Sequence, residues 1–154
     1  MVKKVTKSKT TALSSELLQK AQLIAEVAIQ KKALDVLMLN VAKISDIGDV
    51  FVIASGTSDR HVKGIADRIV DTIRENLGVK PLTISGMEKG EWVLIDYADV
   101  IVHVFHEPVR QFYDLEGLWA KAEPIELNKE LDADAKKLRT GMLIRRKKLV
   151  LKNK

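Results

Sequence analysis

The sequence predicts an α+β fold, a single domain in which a mixed five-stranded sheet is packed with helices. Three observations predict it. Two long segments place apolar residues at helical spacing. Five short runs rich in β-branched residues read as strands. The elements follow one another as helix–strand–strand–helix–strand–strand–strand–helix, an order that asks for one sheet with helices laid against it. At 154 residues, 46% hydrophobic and 31% charged, the chain can bury one core and is too short for two ordinary domains.

Residues 1–13 are rich in Lys, Thr and Ser and have no period, so they are expected to be disordered. Ser14 or Ser15 can cap the first helix, because a side-chain oxygen accepts from an orphan N–H. That helix is expected over 15–33, with Leu17, Ala21, Ile24, Ala25 and Ala28 in step. A buried strand follows over 35–41, then turn residues Ser45, Asp46 and Gly48, then a strand over 50–54. The short connection makes these two an antiparallel pair. Thr57 or Ser58 caps the second long helix, which carries Val62, Ile65, Ala66, Ile69, Ile73 and Leu77 and stops at Gly78. Strands are expected over 81–84, 91–97 and 100–106, the last two joined by the tight turn at Ala98-Asp99. A final helix is expected from Pro108 to about Ala122, with Val109, Phe112, Tyr113, Leu115, Leu118 and Trp119 inward and Pro124 ending it. Leu131, Ala135 and Leu138 suggest a further helix near 128–140.

Composition excludes some chemistry. With no cysteine there is no disulfide, thiolate metal site or cysteine nucleophile. No apolar run approaches the ~20 residues of a membrane span, and the Lys-rich start has no apolar leader pattern behind it, so a cytoplasmic protein is expected. Net charge is +5, unevenly spread. Residues 1–34 carry 7 Lys/Arg and 2 Asp/Glu, residues 35–123 carry 9 and 15, and residues 124–154 carry 10 and 4. An acidic body between basic ends suits a basic protein surface, while the ends suit nucleic-acid phosphate. The ends are equally readable as solvated charge.

The chemistry-bearing residues point away from catalysis. His103 and His106 are three apart on one strand and so face opposite ways, which prevents a shared metal. Asp96 and Asp99 could converge on a cation, but they flank a turn, where acids are common anyway. Ser55-Gly56-Thr57-Ser58 before a helix could hold an anion, yet it lacks a phosphate-loop pattern. Trp92, Leu94 and Asp96 share one strand face, and Val93, Ile95 and Tyr97 the other. The face ending in Asp96 is expected to be partly exposed, making Trp92 either core or an interface anchor. Trp119, in step with Phe112, Leu115 and Leu118, is expected in the core.

Residues 35–123 resemble the ribosomal silencing factors, the Iojap-related family. The resemblance rests on segments in order: Asp49-Val50-Phe51-Val52-Ile53-Ala54-Ser55-Gly56-Thr57-Ser58-Asp59-Arg60-His61-Val62, then Trp92-Val93-Leu94-Ile95-Asp96-Tyr97-Ala98-Asp99, and Arg110-Gln111-Phe112-Tyr113-Asp114-Leu115-Glu116-Gly117-Leu118-Trp119. Val50 replaces a frequent aromatic, Ser85 a typical Glu, and Ala98 a frequent Gly. The resemblance implies a nucleotidyltransferase-like fold without catalytic residues, no enzyme activity and no cofactor. It implies a translational repressor that binds a protein on the intersubunit face of the large ribosomal subunit. Small-subunit joining is then blocked under nutrient limitation. It assigns partner binding to Trp92 as apolar anchor, to Asp96 and Asp99 as acidic partners of Arg/Lys, and to Tyr97. The domain is then 14–123, and 124–154 is a basic extension whose Arg145, Arg146, Lys147 and Lys148 could contact ribosomal RNA. A homodimer, and a bacterial or organellar origin, are left open. The rival readings are a nucleotidyltransferase-like enzyme using Asp96, Asp99 and the Gly56 loop, and an RNA-binding module driven by the basic ends.

Overall fold

The structure, a computed structural model, describes residues 13–127. The expected disorder over 1–12, the helix near 128–140 and the basic cluster at 145–148 lie outside these residues. Helix α1 spans Ser15–Gln30, and its N-cap is Ser14, whose Oγ accepts from Leu17 N at 3.0 Å. It stops short of the expected 33 because Lys32 adopts a φ of 66°, which turns the chain into the sheet. Strand β1 covers Leu34–Asn40 and β2 covers Val50–Gly56. They pair antiparallel as expected, with a register shift between Leu34 and Leu37. Helix α2, Asp59–Leu77, is capped by Ser58, which accepts from His61 N at 3.0 Å, and is closed by Gly78 in the left-handed region. Strands β3 (Thr83–Ser85), β4 (Trp92–Asp96) and β5 (Val100–His106) complete the middle of the chain.

The sheet has six strands rather than five, in the order β3-β4-β5-β2-β1-β6. β2 and β5 run parallel and the other neighbours antiparallel, so the sheet is mixed. The added strand, β6, is Glu123–Ile125, paired with Met38–Asn40 at the sheet edge. Pro124 at its centre cannot donate to a ladder, which an edge strand tolerates.

The last helix differs most from expectation. It is not continuous over 108–122. It breaks at Asp114, whose φ is 48°, into α3 (Glu107–Tyr113) and α4 (Leu115–Leu118). The Asp114 carboxylate restarts the helix by accepting from Gly117 N at 3.2 Å. The break rotates the apolar stripe. Leu115 stays buried, but Phe112 is 81% exposed and Leu118 76%.

Alternation along the strands divides the core in two. Val50, Val52, Val93, Ile95, Val102 and Val104 pack against α1 and α2 and form the larger cluster. Phe51, Ile53, Ile101 and Phe105 face the other way, beneath Leu115 and the short segment after α4. Two long helices cover the first face fully. The second face has only two short helices over it, and its margin stays open. No helix among the described residues is long and apolar enough to cross a membrane.

Candidate functional site

The open margin of the second face is centred on Trp92. Along β4 the pattern is half-buried, buried, half-buried, buried, half-buried, as the alternation predicts. Trp92 stacks on Phe105 of β5 with ring centroids 4.8 Å apart and leans on Tyr113 of α3 at 5.0 Å. Its indole Nε1–H donates to Nδ1 of His103 at 3.2 Å. Gly86 places the preceding loop here. Its φ is +88°, and a Cβ on it would lie 2.0 Å from the Trp92 carbonyl oxygen, so only glycine fits this turn. Between that loop and α3 lies a half-open cleft of about 460 Å³, lined by Ile84, Met87, Glu88, Glu91, Trp92 and Tyr113. Ile84 and Tyr113 are exposed, and Phe112 meets Tyr113 edge-on at 5.2 Å, so an apolar strip runs from β3 across Trp92 to α3. Exposed Glu88 and Glu91 edge it, with exposed Lys89 between them, so its rim carries a net negative charge.

The four residues expected at a partner surface are not all brought together. Trp92 and Asp96 share the open face, at opposite ends of β4. Asp96 Oδ1 accepts from Ala98 N at 2.7 Å and so braces the turn. Tyr97 points the other way into the larger core, where burial pushes its phenol up to about 12 and leaves its hydroxyl without a partner. Asp99 pairs with Lys20 of α1 at 2.7 Å, and the same Lys20 lies 5.7 Å from the Tyr97 ring centroid. The fold therefore holds Tyr97 and Asp99 against α1, away from Trp92. Arg145, Arg146, Lys147 and Lys148 lie outside the described residues.

The loop before α2 is filled by the chain itself. Thr57 N donates to His61 Nδ1 at 2.9 Å, and Arg60 N donates to Asp59 Oδ1 at 2.8 Å. His61 N goes to Ser58 and Val62 N to the Ser58 carbonyl. The carboxylate of Asp59 occupies the place that an anionic ligand would want. His61 Nε2 reaches the Lys31 carbonyl at 2.8 Å, tying α2 to the end of α1. Beneath α3, buried Arg110 donates to Ser55 Oγ at 2.8 Å and to Glu116 Oε2 at 3.0 and 2.6 Å. Burial opposes the charge on Glu116, but the bond to Arg110 and its charge outweigh that and hold the carboxyl below its usual range. This pair pins α3 and α4 to β2.

Sequence reasoning missed Tyr113 and Phe112 as surface, and His103 as the partner of Trp92. Asp114, a residue type that can cap a helix, was the one local hint of the helix break, and helical spacing on both sides of it masked that hint. No local pattern marks the His103 contact, which joins two strands.

A family model described as "Ribosomal silencing factor during starvation" matches residues 14–147. The chain is 42% identical over 106 residues to the "Ribosomal silencing factor RsfS" of Halalkalibacterium halodurans, covering 69% of this chain and 90% of that one. It is 39% identical over 107 residues to the protein of the same name from Bacillus subtilis, covering 70% and 90%. A crystal structure of a Chromobacterium violaceum protein superposes with a TM-score of 0.65 at 33% identity, covering 73% of this chain and 95% of that one. Motif order, mixed sheet and matching relatives agree: the chain belongs to the family of ribosomal silencing factors during starvation.

Proposed function

We propose that this chain represses translation by docking on the large ribosomal subunit, at a protein of its intersubunit face, where it sterically blocks joining of the small subunit under nutrient limitation. The observation that supports this best is the open apolar strip around Trp92. A half-buried Trp, stacked and hydrogen-bonded at the centre of exposed aromatic surface, has the character of an interface anchor. The acidic edge suits a basic protein surface, and such rim charges serve rate and orientation. Asp96 completes the contact on the same face. Tyr97 and Asp99 contribute by holding the turn against α1. The basic extension beyond 124, through Arg145, Arg146, Lys147 and Lys148, adds contact with ribosomal RNA. No catalytic step is part of this reading: Thr57 N, Arg60 N and His61 N beside the Gly56 loop already donate to His61, Asp59 and Ser58.

Sedimentation tests it, with wild type and Trp92→Ala mixed with free large subunits and with joined ribosomes. Wild type is expected to bind free subunits and to be excluded from joined ones. Trp92→Ala is expected to stay folded by circular dichroism and to bind at least ~30-fold more weakly, the loss typical of an anchor. Equal binding by the two proteins would move the anchor elsewhere. Equal binding to free and joined subunits would end the steric mechanism.

A further inference from the structure

His103 is a costly residue where it stands. It is 4% exposed on the second face of the sheet. Everything against it is uncharged: Phe51 edge-on at 4.8 Å, Trp92 and Phe105 as neighbouring rings, and Leu94 and Ile53 opposite it on the flanking strands. Nδ1 accepts the Trp92 indole proton at 3.2 Å, while Nε2 is buried with no partner. A neutral imidazole that accepts at Nδ1 carries its proton at Nε2. The ring therefore buries an unsatisfied donor, which works against stability. Phenylalanine would fill the same space without that cost. What imidazole supplies and phenylalanine lacks is the acceptor for Trp92. Stacking on Phe105 leaves the indole free to slide in its plane, and the hydrogen bond fixes that remaining freedom.

We infer that His103 is a positioning residue, which accepts the indole N–H of Trp92 and holds that side chain in the orientation that docks. The inference rests on Trp92 being the anchor proposed above. An anchor held in its bound orientation avoids part of the ordering cost of association. A surface selected for this purpose tolerates a stability cost at the supporting residue.

Two substitutions separate the hydrogen bond from packing. His103→Phe keeps the ring and removes the acceptor; His103→Asn removes the ring and keeps an oxygen close to the Nδ1 position. Each is measured three ways: melting temperature, the indole N–H resonance of Trp92 in protein labelled with ¹⁵N-tryptophan (assigned with Trp92→Phe), and co-sedimentation with large subunits. His103→Phe is expected to melt at or above the wild-type temperature, to shift the Trp92 indole proton upfield, and to bind about five- to tenfold more weakly, the value of one hydrogen bond. His103→Asn is expected to melt lower yet keep the indole shift and bind within about twofold of wild type. Wild-type affinity in His103→Phe overturns the positioning role and leaves Trp92 as anchor untouched. Equal loss in both variants, with the indole shift kept in His103→Asn, assigns the effect to ring packing and also overturns it. Failure of wild type itself to bind large subunits removes the functional reading, and this inference with it.

Discussion

Burial keeps the His103 imidazole neutral well into acid, with its pKa lowered from 6.5 to about 4 by loss of water around the ring. The unfolded chain therefore takes up a proton near pH 6.5 that the folded chain refuses until about pH 4. Across that window the unfolded state binds more protons, so stability falls as pH drops, by up to about 1.4 kcal/mol per pH unit. The loss begins near the unfolded value and is complete below the folded one. Denaturant titrations of wild type and His103→Phe at pH 7 and pH 5 isolate the effect, because the carboxylates are common to both proteins. Wild type is expected to lose about 2 kcal/mol more than the variant between these two pH values. Parallel losses would mean that the ring charges without penalty. Tyr97 illustrates the same physics with the opposite sign, its phenol held protonated up to about 12 by burial. In both cases loss of water around the ring is the cause of the shift.

The turn between β4 and β5 shows how an element can carry strain that its sequence conceals. Ala98 adopts a φ of 75°, in the left-handed region where a Cβ costs roughly 1–2 kcal/mol. The fold offsets this with hydrogen bonds from Ala98 N to Asp96 Oδ1 and from Tyr97 N to the Val100 carbonyl. Glycine, frequent here in the resembling family, would relieve the strain but raise the entropy of the unfolded chain. The balance favours Ala98→Gly by about 0.5–1 kcal/mol, to be read from thermal unfolding. A destabilised Ala98→Gly would show that the turn tolerates its side chain without strain. Elements with a repeating signal were legible in sequence. Helices α1 and α2 announced themselves through 3.6-residue periodicity and serine caps, and β4 through alternation. β6 was hidden because three residues centred on proline carry no period. The break at Asp114 was hidden because Phe112, Leu115 and Leu118 keep helical spacing across a residue that spacing cannot identify as left-handed. The site divided in the same way. Strand parity put Trp92 and Asp96 on one partly exposed face, and only the family resemblance assigned them to partner binding, whereas Tyr113 depended on the break and His103 on pairing between β4 and β5.

At the scale of the whole molecule, charge and shape divide the work of binding. The apolar strip lies within the acidic stretch 35–123, while the strongest basic clustering falls at Arg145, Arg146, Lys147 and Lys148. In the proposed docking, an acidic domain approaching ribosomal RNA would meet repulsion, which a basic extension would counter while Trp92 seats on protein. The two contributions separate in their response to salt. Phosphate contacts release counterions, and each contributes roughly 0.7–0.9 to the slope of log affinity against log salt. Apolar docking contributes almost nothing to that slope. Removing residues 128–154 preserves β6 and Leu127, which packs on the core. The truncated chain is expected to bind large subunits with a slope shallower by about 3 if the four clustered cations each neutralise one phosphate. Trp92→Ala should instead lower the whole line without tilting it. Binding measured from 50 to 300 mM salt distinguishes the two. An unchanged slope after truncation would make the basic end solvated charge without an RNA contact. A slope that also flattens in Trp92→Ala would mean that both regions act on one surface, so that seating the anchor is what brings the extension to RNA.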